Sequence, residues 1–326
     1  MNFLKNFLLF VVSLVVVLVL AEFVVRFSLN DITSTSNMQS WFGTRWKNEF
    51  VVKNSYGFRE KEVAPEKPAD VYRIVMLGDS FGFGQGIPAE DRFSNLIGAA
   101  LNESGKNVEM LNFSFPGATS MDQHKILEDK VLPLSPDFVL IQWLPNDFED
   151  QQERWKTKTK PLIPNDRWHR ELQKTSALYF LINNQWIQIR QAIWGPEASY
   201  QDQLLEPFSE PGSEAYRTAV QPMIDFLATL NETGIDYALV LHPMLQPNLV
   251  GDYPMAQLHE LTLSMCRDAD ATCLDLSPVF QELGPDFDMT SLWVNRFDPH
   301  PSSEANRMVA DYILAELAPA AWGYKP

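Results

Sequence analysis

A serine hydroxyl is barely ionised at neutral pH and attacks a carbonyl only where a neighbouring base takes its proton. An imidazole serves as that base best when a carboxylate orients it. The chain carries the three residue types in two fragments far apart in sequence, Gly78-Asp79-Ser80 and Asp298-Pro299-His300. Between them lie Asn112, with Gly117 just beyond it, and Asn146-Asp147. A side-chain amide and unhindered backbone N–H groups are what the oxyanion of a tetrahedral intermediate requires. Taken singly, each fragment is an ordinary turn or cap, because Gly, Asp, Asn and Ser favour such positions for local reasons. Their chemistry depends on being brought to one place.

The surrounding pattern predicts that convergence. Residues 73–77 form a short apolar run ending at Gly78, as a buried parallel strand entering a turn does. Residues 108–113, 137–144, 237–241 and 273–276 read as the next four strands. Helical spacing of apolar residues predicts helices over 93–101, 123–132, 214–230 and 255–266. A last helix is expected over 304–317, opened by Asp298-Pro299-His300. Strands alternating with helices imply right-handed crossovers, hence an α/β fold: a doubly wound α/β/α sandwich on a five-stranded, mostly parallel sheet. Ligands of such sheets bind beyond the carboxyl ends of the strands, where Ser80, Gly117 and Asn146 fall.

The alternation is interrupted over residues 148–212, a polar stretch carrying Trp155, Trp168, Trp186 and Trp194. These rings are expected in the core of a small subdomain rather than as sugar-stacking platforms, and residues 179–189 resemble an amphipathic helix. An insertion at a strand's carboxyl end lies beside the site and can form a lid or an acceptor surface. His124 and His259, in predicted helices, and His169, in the insertion, are expected at the surface; His242 ends the fourth strand and can line the pocket. Asp147, Glu149 and Asp150 read as a solvated acidic loop rather than metal ligands, since no clustered partner exists elsewhere. The glycines after Ser80 have neither the dinucleotide spacing nor the Lys-Ser/Thr of a nucleotide loop. No metal and no cofactor is expected.

The run from Gly78 to Gly86 (Gly-Asp-Ser-Phe-Gly-Phe-Gly-Gln-Gly), the stretch from Asn112 to Gly117, Asn146-Asp147 and the Asp298/His300 pair together resemble the blocks of the SGNH (GDSL) hydrolase superfamily. The likeness covers roughly residues 71–317 apart from the insertion, and implies the flavodoxin-like sandwich of that superfamily. It further implies Ser80 as nucleophile, His300 as general base and Asp298 as the carboxylate orienting it. The oxyanion hole would be the backbone N–H groups of Ser80 and Gly117 with the Asn146 amide. The chain departs from the family pattern in two places. Leu144-Pro145 precede Asn146 where a Gly commonly stands two residues before it, and Asp298 lies two residues before His300 rather than three.

With 326 residues and 45% apolar side chains the chain can bury a sizeable core, which excludes a disordered protein. Its formal charge of −16 would repel a phosphate backbone, so no nucleic-acid partner is expected. Residues 1–27 form an apolar leader, near the ~20 residues a bilayer-spanning helix needs. Lys5 precedes the run and the positive-inside bias favours a cytoplasmic N-terminus, with Val19-Leu20-Ala21 as an alternative cleavage site. Both readings export the body; the anchor reading puts it outside a bacterial inner membrane, bound through the leader. Cys266 and Cys273 can then bridge. The domains expected are the signal anchor at 1–27, a membrane-proximal spacer at 28–70 and the catalytic domain at 71–326. Within the spacer, Asn54-Ser-Tyr-Gly-Phe-Arg59 reads as a loop packed on the domain edge; with the leader, this cluster makes the chain similar to the membrane-anchored bacterial members of the superfamily. Three functions fit: an esterase acting on O-acyl groups of a carbohydrate or lipid, an acyltransferase using the same residues, and a catalytically silent glycan-binding scaffold.

Overall fold

The five apolar runs pair as one parallel sheet in the computed structural model, which describes residues 2–149, 160–195 and 200–317. Its strands are β1 (Tyr72–Leu77), β2 (Val108–Asn112), β3 (Phe138–Trp143), β4 (Asp236–Leu241) and β5 (Thr272–Asp275), in the order β2-β1-β3-β4-β5. Every neighbouring pair is parallel, with Met76 opposite Asn112 and Leu77 opposite Ile141. Connections between parallel neighbours need crossovers, and the helices Phe93–Glu103, Glu214–Thr233, Ala256–Asp268 and Ser303–Glu316 cover the sheet. β1 and β3 are buried almost throughout, which is why they read as unbroken apolar runs. The order reverses at β1/β3, so the crevice beyond those two strands is the topological switch point.

Two local expectations are corrected. Asp298-Pro299-His300 does not open the last helix. It forms β7 (Asp298–Pro301), paired antiparallel with β6 (Trp293–Asn295), and the helix starts at Ser303 with Ser302 as its cap. An extended strand lets two residues of the same parity point to one side, which a helix start would not. Second, Trp168 and Trp194 are exposed at 62% and 69%, so they do not form a subdomain core; Trp155 lies outside the described residues. The segment after the leader, read as a spacer with a short packed stretch, contains a helix, Trp41–Phe50, and contributes Phe58 and Val63 to the core.

The described residues divide into two units in a way that cuts across the linear order. One comprises residues 2–49 with 160–195, so the leader, the start of the spacer and most of the insertion belong together. Its longest elements are the apolar helix Asn2–Ser28 and the insertion helix Ala177–Trp194. The other unit, residues 50–149 with 200–317, holds the sheet and every candidate catalytic residue. Cys266 and Cys273 are bridged within it, between the helix Ala256–Asp268 and β5.

Candidate active site

β1 delivers the chain into a sharp turn. Gly78 follows the last strand residue, and Asp79 caps the short helix Ser80–Phe83, its carboxylate accepting from Phe81 N–H at 2.9 Å. Ser80 is therefore the first helical residue, half-buried at the mouth of the crevice. Its Oγ lies 2.9 Å from Nε2 of His300. The other ring nitrogen, Nδ1, lies 2.5 Å from Oδ1 of Asp298. Asp298 is fully buried, and His300 is only 9% exposed. A carboxylate fixed on Nδ1 selects the tautomer whose Nε2 carries a lone pair toward the hydroxyl, which is the arrangement a general base needs.

The ribbon β6/β7 brings these two residues to Ser80. Asn295 pairs with Asp298 and Trp293 with Pro301, and the Trp293 indole N–H donates to Leu245 O, tying the ribbon to the loop after β4. Phe81 packs edge-on against His300, with ring centroids 5.4 Å apart, and edge-on against His242 at 4.9 Å. His242 thus stands behind the site rather than lining it. It is buried, its Nδ1 pairs with Pro243 O, and burial pushes its imidazole down to about 4.

Asn146 follows β3 in a tight turn that Asp147 holds together. Buried Asp147 accepts from Leu144 N–H at 2.7 Å and from the Gln123 amide at 2.6 Å, so it is a structural cap and not part of a solvated loop. Asp150 lies outside the described residues. Pro145 fits here because the first position of such a turn needs no N–H donor. The Asn146 amide donates to Oδ2 of Asp79 at 2.9 Å. An amide nitrogen carries two hydrogens, and this bond uses one of them. Gly117 occupies the turn after β2 with φ of +80°, a left-handed conformation that disfavours a side chain, and Pro116 presets the preceding angle. Phe115 N–H donates to Gly78 O, which holds this turn against the turn that carries Ser80.

Two supporting residues escape a reading of the motifs alone. Gln142, inside buried β3, accepts from the N–H groups of both Asp79 and Gly82 at 3.1 Å, bracing the turn from below. A Cβ on Gly78 would meet its Oε1 at 2.7 Å, and one on Gly82 would meet the Ser114 hydroxyl at 2.7 Å. These glycines exist for close approach, not for phosphate. The available signal was a glutamine in an otherwise apolar strand, since a buried amide demands partners. The second is Arg59, read as part of an edge loop. Its guanidinium donates to the carbonyls of Phe83, Gly84 and Ile87 and so clamps the chain that leaves Ser80. Burial, with Arg92 beside it, lowers this guanidinium to about 10, leaving it charged at neutral pH.

Asn112 also has a structural role: its amide donates to Gly82 O and Ser94 Oγ, and its carbonyl accepts from Ser114 N–H. His259, expected at the surface, is buried, with Nδ1 at 3.0 Å from Asp275; His124 and His169 are half-buried. A cavity of about 760 Å³ lies past Asn146, lined among others by Phe148, Leu204 and Ala219; neither Ser80 nor His300 lines it.

No protein-family model and no curated protein matches the chain. Solved structures do. The chain is similar to TesA, at 14% identity and a TM-score of 0.46, over 76% of this chain and 98% of that one. It is similar to a variant of Axe2, an acetylxylan esterase from Geobacillus stearothermophilus, at 14% identity and a TM-score of 0.46, over 78% and 95% of the two chains. A lipolytic protein of the G-D-S-L family from Desulfitobacterium hafniense matches at 14% identity and a TM-score of 0.43, over 74% and 97%.

Proposed function

We propose that this chain is a serine hydrolase of the SGNH (GDSL) superfamily, anchored in a bacterial inner membrane with its catalytic unit outside, that cleaves O-acyl esters of a carbohydrate or lipid. The observation that carries the reading is His300, whose two nitrogens engage Ser80 and Asp298 at 2.9 and 2.5 Å.

The reaction follows from that geometry. Ser80 Oγ attacks the acyl carbonyl carbon as Nε2 of His300 takes its proton, and the buried Asp298 carboxylate stabilises the imidazolium through Nδ1. The carbonyl oxygen, now an oxyanion, is received by the N–H groups of Ser80 and Gly117 and by the Asn146 amide. Collapse of the tetrahedral species breaks the ester C–O bond; His300 returns the proton to the departing alcohol and leaves an acyl-serine. Water, deprotonated by His300 in the same way, then releases the acid and restores Ser80.

Asp79 has a double part in this scheme, capping the nucleophile helix and orienting Asn146 through the same carboxylate. The apolar leader, Lys5 before it and the Cys266–Cys273 bridge support the exported, tethered placement. The test uses the full chain in detergent or vesicles. A fluorophosphonate should label Ser80, and short-chain aryl esters should be hydrolysed by the wild type and not by Ser80→Ala. Hydrolysis that survives Ser80→Ala overturns the mechanism. Turnover that appears only when a glycan acceptor is supplied makes the enzyme a transferase on the same residues, and folded protein that resists labelling makes it a silent scaffold.

A further inference from the structure

The insertion helix Ala177–Trp194 is fastened to the apolar leader through one carboxylate. Glu22, near the end of the helix Asn2–Ser28, accepts from the Ser176 hydroxyl at 2.7 Å and from the N–H groups of Ala177 and Leu178 at 2.9 and 3.0 Å. It thereby satisfies donors that a helix start otherwise leaves unpaired. Arg26 completes the link, paired with Glu22 and donating to Thr175 O. From Glu22 an apolar groove of about 410 Å³ extends between the two helices, with Val15, Leu18 and Val19 on one wall and Leu178, Tyr179 and Ile182 on the other.

From Leu178 and Ile182 in the groove, the insertion helix continues with Trp186, Ile189 and Ile193 at helical spacing, a single stripe. Ile182, Ile189 and Ile193 are 43%, 51% and 64% exposed, and Trp194 at the helix end is 69% exposed. Asn183, Asn184, Gln188 and Gln191 occupy the other side, and Asn183 is buried, accepting from Leu162 N–H. A polar face of this kind suits a helix at the edge of a bilayer rather than across it, and tryptophans belong at that depth. The groove joins the stripe to the leader, whose apolar side chains are exposed from Phe3 to Leu20. We infer that the insertion helix lies in the outer leaflet beside the anchor, with lipid acyl chains covering its isoleucine stripe and filling the groove. The inference rests on the anchor reading of residues 2–28. It assigns a second membrane contact to a segment inserted in the catalytic fold.

The full chain, with Cys266–Cys273 left bridged, is labelled with an environment-sensitive fluorophore at Ile189→Cys, Ile193→Cys, Gln188→Cys or Val12→Cys. Each variant is reconstituted in phosphatidylethanolamine/phosphatidylglycerol vesicles with a nitroxide on the acyl chain. Probes at Ile189 and Ile193 should be blue-shifted and quenched roughly twofold or more beyond Gln188. Glu22→Ala should bring both down to the Gln188 level while Val12 stays quenched. If Val12 is quenched and the isoleucine probes match Gln188, the helix is in water and the inference fails with the anchor intact. A blue shift without nitroxide quenching means that protein, such as a second copy, covers the stripe, and also overturns it. An unquenched Val12 probe overturns the anchor reading and the inference together. Quenching retained in Glu22→Ala overturns the coupling through Glu22.

Discussion

Among the described residues, the unit that holds the sheet brings serine, histidine and aspartate into contact at two places, and in one of them the histidine stands between the other two. In the first, His300 is the middle member: Nε2 meets Ser80 and Nδ1 meets Asp298. In the second, at the end of β5, Asp275 is the middle member. Its Oδ1 accepts from the Ser277 hydroxyl at 2.8 Å, from Ser277 N–H at 2.9 Å, and pairs with His259 Nδ1 at 3.0 Å. Nε2 of His259 is buried with no partner among the described residues. The Ser277 hydroxyl also lies 3.4 Å from Nδ1 of that same ring, but a ring nitrogen that donates to the carboxylate has no lone pair left to take the hydroxyl's proton. Burial alone would raise the Asp275 carboxyl, yet the hydrogen bonds from His259 and Ser277 prevail and hold it below the usual range. The difference teaches that composition of a cluster does not define a triad. Which atom stands between the other two does.

The sharpest way to break the comparison is to delete both serines in turn. Ser80→Ala should lower kcat by about 10⁴-fold or more, while Ser277→Ala should leave kcat within about twofold, read by aryl-ester hydrolysis and fluorophosphonate labelling. Equal losses would mean that the wiring distinction is wrong.

Next in size is Asn146, the oxyanion donor of the proposed reaction. Asn146→Ala should retain labelling but lose roughly 10²–10³ in kcat, the usual effect of removing one such donor. Asp79→Asn should lose activity in the same direction, because an Asn side chain has one acceptor oxygen where Asp79 uses two, one for Phe81 N–H and one for the Asn146 amide.

The two histidine positions behind the chemistry should respond through stability. His259→Ala should cost about 1–3 kcal/mol at pH 7 by denaturant unfolding, since it empties a buried site and leaves half-buried Asp275 with one partner fewer, with little change in kcat. His242 supplies the pH dependence. Its folded value is depressed to about 4 from 6.5, so its contribution is fully present above 6.5 and is lost as pH falls through 4. Across that window stability should fall by up to ~1.4 kcal/mol per pH unit, and His242→Phe should flatten that slope.

Among the groups that hold the Ser80 site, the smallest loss of activity is expected at the brace. Gln142→Leu should reduce kcat about tenfold with KM unchanged, because a loosened turn misplaces Ser80 in the transition state without removing a substrate contact. Rescue by Gln142→Glu is not expected at neutral pH, where a carboxylate in an apolar strand requires a proton or a partner. A KM change in Gln142→Leu with kcat intact would show that the brace shapes binding rather than the nucleophile.

The sequence by itself determined the sheet, because strands buried on both faces are written as continuous apolar runs and their carboxyl ends carry the glycines, serine and asparagines of the crevice. Ser80 could be placed at the end of β1, and Asn146 at the end of β3, from local pattern alone. Tertiary structure decided the rest. The β6/β7 ribbon is too short to leave a periodic signal, so the extended path that points Asp298 and His300 the same way was invisible beside a helix cap. Gln142, Arg59 and the Asp79–Asn146 link act across long sequence separations, where residue type says that a partner is needed but not which one. The two serine–histidine–aspartate clusters make the point most directly. Their compositions are the same, and only the spatial order of three side chains, set by which strand end and which helix each one stands on, separates a nucleophile from a cap.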